Sequence, residues 1–182
     1  MSDLFHKDVP LEFIQEVFSV IEKTPWHTYQ ILTKRSDRLK ELAPKLIWHE
    51  NIWMGVSVET QNYVNRIADL VTVPAKIRFL SCEPLLGPLY LPLYGIHWVI
   101  VGGESGAGSR DMASRWAISI RDQCYVAGVP FFFKQWGGRT PKAGGCLLEG
   151  EEIKEFPEQN LKNKPQQAKL EPTNQPMQLN LF

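Results

Sequence analysis

Three stretches of the chain share one pattern: an uninterrupted apolar run that stops at small or hydroxyl residues and then a carboxylate. They are Trp98-Val99-Ile100-Val101-Gly102-Gly103-Glu104, Ile52-Trp53-Met54-Gly55-Val56-Ser57-Val58-Glu59 and Ile77-Arg78-Phe79-Leu80-Ser81-Cys82-Glu83. Continuous runs rich in β-branched and aromatic residues predict strands buried on both faces. Two further runs, 28–32 and 130–134, read the same way and deliver Thr33-Lys34-Arg35 and Lys134-Gln135-Trp136 to their ends. Between the runs the period lengthens to that of helices. Residues 11–23 place Leu11, Ile14, Val17, Phe18 and Ile21 on one stripe, with Pro25 beyond. A helix is predicted from Ser36 and Asp37 towards Leu46, shortened by Pro44, and another over 61–71. A fourth, over 113–127, places Trp116, Ile120 and Cys124 at four-residue intervals and ends at Gly128.

Strand and helix therefore alternate, and alternation of this kind builds parallel βαβ units. The predicted fold is α/β, an incomplete (β/α) barrel with mostly parallel strands over residues 1–150. Beyond Gly150 the composition turns to Gln, Asn, Lys, Glu and Pro, so 151–182 are predicted to be a disordered tail. Removal of one strand at the start would leave an unpaired sheet edge and exposed apolar surface.

In parallel α/β folds the carboxyl ends of all strands open onto one face. Ser57, Glu59, Ser81, Glu83, Gly102, Gly103 and Glu104 are thus predicted to gather at one mouth, with the two glycines letting a ligand approach the backbone. Asp3, Lys34, Lys134 and Gln135 are further candidates. Lys34 and Lys134 at strand tips admit a Schiff-base reading, and the three glutamates a divalent-metal reading, which no neighbouring His supports. The glycine-rich stretch 137–145 lacks the order of a phosphate-binding fingerprint.

The totals narrow the field. The chain has 182 residues, 43% hydrophobic and 22% charged, with zero formal net charge. This fits one domain with a real core and announces no long-range attraction to nucleic acid or anionic membrane. Trp26, Trp48 and Trp136 still admit base stacking. No segment reads as a secretory signal or spanning helix, and three scattered cysteines suit a reducing cytoplasm. Cys82 and Cys124 read as core residues.

Five motifs in order, Leu32-Thr33-Lys34-Arg35, Gly55-Val56-Ser57-Val58-Glu59, Phe79-Leu80-Ser81-Cys82-Glu83-Pro84, Trp98 to Gly106, and Pro130-Phe131-Phe132-Phe133-Lys134-Gln135-Trp136-Gly137, closely resemble the bacteriophage "gp thirty-seven / gp sixty-eight" family, from the first residues to about Gly138. The resemblance implies a phage or prophage protein similar to radical S-adenosylmethionine enzymes, with a partial barrel whose strand-tip groups bind S-adenosylmethionine. That family opens with three closely spaced cysteines that ligate an iron–sulfur cluster. The segment is missing here, and Cys82, Cys124 and Cys146 have no such spacing. The expectation is a cofactor-side portion, inactive by itself, completed by an N-terminal complementing fragment. A non-catalytic alternative comes from Gln178-Leu179-Asn180-Leu181-Phe182. Gln178, Leu179, Leu181 and Phe182 resemble the peptide by which DNA-replication and repair proteins bind the bacterial sliding clamp, a few apolar anchors on a flexible spacer.

Overall fold

A computed structural model describes residues 3–140 and 143–157 of the chain. Among these, the elements run α1 (Leu11–Glu22), β1 (Tyr29–Thr33), α2 (Ser36–Leu42), β2 (Ile52–Ser57), α3 (Asn65–Leu70), β3 (Ile77–Cys82), β4 (Trp98–Gly102), α4 (Ser114–Ala127) and β5 (Phe131–Gln135). The five strands form one sheet in sequential order, every neighbouring pair parallel. This is the expected α/β architecture, an open segment of a (β/α) barrel.

Each helix boundary has a local cause. In α1 the stripe Ile14, Phe18 and Ile21 is buried. Thr24 closes the helix, its hydroxyl donating to the Val20 carbonyl at 2.9 Å. Pro44 cuts α2 short, and the chain continues as a 3-10 turn, Ala43–Lys45. The helix expected over 61–71 is split into a 3-10 turn, Gln61–Tyr63, and the short α3. Asn62 and Asn65 favour turn geometry over helix there. Gly128 ends α4 in the left-handed conformation, φ 64°.

Sequential parallel pairing keeps the crossovers on one side of a sheet. Accordingly the helical residues Ile14, Phe18, Leu39, Ile67 and Ile120 share one core with Met54, Val56, Leu80, Val99 and Val101. The opposite face carries a separate aromatic layer of Trp53, Phe79 and Trp98, with Ile77, Ile100 and Phe132. Gly55 belongs to this layer because a Cβ there would lie 2.4 Å from the Phe79 ring.

The domain extends past residue 150. Residues 151–157 return along β5: Phe133 N donates to Ile153 O at 2.8 Å and Glu155 N to Phe131 O at 3.1 Å. Phe156 then caps the aromatic layer, 5.3 Å from Trp98 and 5.4 Å from Phe132 between ring centroids. The boundary expected at Gly150 is corrected to 157 at the earliest. The charged neighbours of Ile153 and Phe156 hide this strap in the composition. The rest of the expected tail lies outside the described residues. At the other side of the sheet, β1 is the edge strand among the described residues.

Candidate functional site

The registers Ser57 to Ser81 and Cys82 to Val101 bring the tips of β2, β3 and β4 to one edge. Glu59, Glu83 and Glu104 follow those tips, so the convergence expected from the sequence holds at the level of the strands. The chemistry differs from an open mouth of carboxylates, because each glutamate already has a basic partner.

Glu59 is the most enclosed, its side chain 7% exposed. It lies between Lys34 of the β1 tip and Arg66 of α3. Arg66 Nη1 donates to Glu59 Oε2 at 3.0 Å and to the Ser57 carbonyl at 2.7 Å, and its guanidinium sits 4.0 Å from the centre of the Tyr63 ring. Glu83 pairs with Lys134 of β5, two strands away, at 3.0 and 2.9 Å to its two oxygens. Gly102 on the intervening strand makes this reach possible: a Cβ there would lie 3.2 Å from the Glu83 carboxyl carbon. Gln135 Nε2 donates to Ser105 Oγ at 3.0 Å and leans towards Glu83 at 3.4 Å.

Glu104 stands apart from these two pairs. Arg110 grips it in a fork, Nε to Oε2 and Nη2 to Oε1 both at 2.8 Å, and adds its backbone N–H at 3.0 Å. The side-chain hydrogen bonds first, then the backbone one, hold the carboxyl down to about 2. A depressed folded value means that the contribution to stability is present above the ordinary carboxylate range and lost as pH falls through the folded value. Glu104→Gln should therefore lower the denaturation midpoint at neutral pH. The gap to the parent should close between about pH 4 and about pH 2, which urea unfolding against pH would show.

The glycines after β4 have a packing reason. A Cβ on Gly103 would fall 1.8 Å from the Trp136 carbonyl oxygen, and one on Gly137 would fall 2.0 Å from that of Glu104. The two loops are joined by Gly103 N to Gln135 O at 2.9 Å and Gly138 N to Glu104 O at 2.8 Å. These glycines admit a neighbouring loop where the sequence suggested a ligand.

Asp3 also has a structural part. Its Oδ1 accepts from the Thr33 hydroxyl at 2.7 Å and Phe5 N at 3.0 Å, and its Oδ2 from Lys34 N at 3.1 Å, tying the chain's start to the β1 tip. Lys34 and Lys134 are half exposed and ion-paired, so they lack the desolvation a Schiff-base lysine requires. Among the described residues no group of three His, Cys, Asp or Glu converges as a metal site. Trp48 packs on Phe18 and donates to the Ala43 carbonyl at 3.0 Å, while Trp136 packs on Phe133 and donates to that of Leu147 at 2.8 Å. Trp26 alone of the three expected stackers is broadly exposed, at 73%.

The cysteines do not fit an iron–sulfur cluster. Cys82 and Cys124 are fully buried in the core, as expected. Burial raises the Cys82 thiol far above its ordinary value and pushes that of Cys124 up to about 12, the Glu155 charge adding to the latter. Cys146 lies in the loop after β5, beside Glu152. Cluster ligation needs three thiolates on a common loop.

Sequence reasoning missed Arg66 and Arg110. Each reaches its carboxylate from a helix or loop whose sequence gives no sign of its direction; the seven-residue step from Glu59 to Arg66 is the one hint available.

The molecule is thus an open parallel α/β half-barrel with a band of paired charges along its carboxyl edge. Residues 1–157 match the family described as "Protein of unknown function (DUF5131)", and the chain belongs to that family. No curated protein and no solved structure matches it. No helix among the described residues is long and apolar enough to cross a membrane.

Proposed function

We propose that the carboxyl edge binds S-adenosylmethionine, in keeping with the resemblance of the strand-tip motifs to the phage gp thirty-seven / gp sixty-eight proteins. One observation carries this reading: Glu83 and Lys134 form a partly exposed pair over Gly102, at the strand ends where open α/β sheets take ligands. A zwitterionic amino-acid group can exchange into such a pair, its ammonium on Glu83 and its carboxylate on Lys134. The neighbouring Ser81 hydroxyl and Gln135 amide supply neutral hydrogen bonds. Glu59 and Glu104, each already gripped by arginine, shape the site and are not free anions for a sulfonium. When bound, the cofactor brings an activated, positively charged sulfur. This chain's own thiols do not fit the cluster that a reductive step needs. The thiolates would have to come from outside these 182 residues, which is the part a complementing fragment would play.

Isothermal titration of the full chain tests the reading. Saturable S-adenosylmethionine binding is expected, and comparable binding of S-adenosylhomocysteine, which carries the same zwitterionic amino-acid group. It should weaken about tenfold in Glu83→Gln, the scale of one charge-assisted hydrogen bond. No binding at millimolar ligand, or equal binding by Glu83→Gln, rejects it.

A second reading, a DNA-metabolism accessory protein tethered to the sliding clamp, is favoured by the peptide Gln178-Leu179-Asn180-Leu181-Phe182, which lies outside the described residues. Removing those five residues should abolish clamp binding measured by surface plasmon resonance. Binding that survives the deletion rejects the peptide as the tether.

A further inference from the structure

The cleft beside β1 holds a different arrangement, which the cofactor reading leaves unused. It encloses about 760 Å³ between the chain's start and the tips of β1 and β2, and Thr33, Lys34, Arg35 and Ser57 are among the residues that line it. Its charge is unbalanced. Glu59 is shared between Lys34 and Arg66, so one carboxylate faces two cations. The Arg35 guanidinium is exposed and has no ion pair or hydrogen bond among the described residues. The carboxylate in the cleft, Asp3, is committed to Thr33, Phe5 and the Lys34 backbone. His6 turns its ring to Asp8, 3.3 Å away.

A second observation is independent of charge. Ser57 is 3% exposed, yet its hydroxyl has no hydrogen-bond partner among the described residues, and it faces this cleft. The hydroxyl is not a buried orphan, since among the described residues His49 Nε2 is the buried side-chain polar atom without a partner; the Ser57 hydroxyl reaches the cleft and can donate to a group bound there.

We infer that this cleft binds the anionic group of a small molecule, a carboxylate or a phosphate, held by Arg35 and Lys34 with the Ser57 hydroxyl as neutral donor. The guanidinium fork suits two oxygens of either anion, and Lys34 adds a point charge beside it. A cationic group would meet the surplus positive charge, and a neutral one would leave it uncompensated. The site uses β1 and β2, whereas the cofactor reading rests on Glu83 and Lys134 of the β3 and β5 tips. Either can fail without the other.

The test is an amide-resolved NMR titration of the full chain, without S-adenosylmethionine, using inorganic phosphate and, separately, acetate. Chloride holds the ionic strength constant. Saturable shifts confined to residues 33–36 and 57 are expected with at least one anion. Tighter phosphate binding identifies a phosphorylated ligand, and tighter acetate binding a carboxylate ligand. Arg35→Gln should weaken binding about tenfold. Because its guanidinium makes no ion pair or hydrogen bond among the described residues, that variant should leave the fold intact, which the dispersion of its spectrum checks. Ser57→Ala should weaken binding by a smaller factor. Shifts that grow linearly without saturating, that appear equally at Lys7, Lys23 and Lys45, or that are unchanged in Arg35→Gln overturn the inference.

Discussion

Trp98→Ala should lower the free energy of unfolding by about 3–5 kcal/mol, the range for deleting a large buried aromatic. The residue is 3% exposed and opens β4 on the sheet face opposite the helices. Its ring meets Trp53 and Phe79 at 5.9 Å, Phe132 at 5.8 Å and Phe156 at 5.3 Å. Its indole N–H donates to the Glu155 carbonyl at 2.8 Å, so the same side chain fixes the layer and anchors the 151–157 strap. Truncation leaves a cavity among rings too large to collapse into it and frees the strap. Trp98→Phe keeps most of the apolar contact and removes the hydrogen bond, a loss of about 1–2 kcal/mol. Urea unfolding measures both, and limited proteolysis should cut near residues 151–157 sooner in the alanine variant. A cost below about 1 kcal/mol, the ordinary level for point substitutions, would mean that the aromatic layer is not a true core.

How far the sequence discloses this arrangement depends on the kind of pattern involved. The strands are legible because Ile52–Ser57, Ile77–Cys82 and Trp98–Gly102 are largely apolar, and the parallel order of β2 and β3 follows from the helix between them, whereas the 83–97 connection to β4 contains no helix. The division into two faces is not legible. Met54 enters the helical core and Trp53 the aromatic layer, but both are apolar, so no alternation marks which is which. The carboxylates are legible as strand endings, while their partners are not. Lys134 finds Glu83 across a whole strand, and only the missing side chain of Gly102 lets it. The glycines mislead for a related reason. A close approach is correctly implied at Gly103, but the approaching group is Trp136 of the protein itself. The strap escapes notice because Lys154 and Glu155 stand between Ile153 and Phe156, and composition averages over them.

Glu59→Gln should be the second costly change, about 3 kcal/mol, the low end for removing one partner of a buried ion pair. The amide keeps the shape and can still accept from Arg66, so the loss isolates the charge. What remains is asymmetric. Lys34, 46% exposed, can turn its ammonium into water, whereas Arg66, 12% exposed, cannot. Lys34→Gln should then cost only about 0–1 kcal/mol, as exposed pairs do. Arg66→Gln should cost more than Lys34→Gln, because the hydrogen bond to the Ser57 carbonyl goes with it. Denaturant unfolding of the three variants reads out the order Glu59→Gln, Arg66→Gln, Lys34→Gln. Were Lys34→Gln as costly as Glu59→Gln, Lys34 would be the principal partner, and its ammonium would not be spare for an anion in the cleft. The stability series therefore bears directly on the binding one: a Lys34 that is dispensable to the fold is free to serve a ligand.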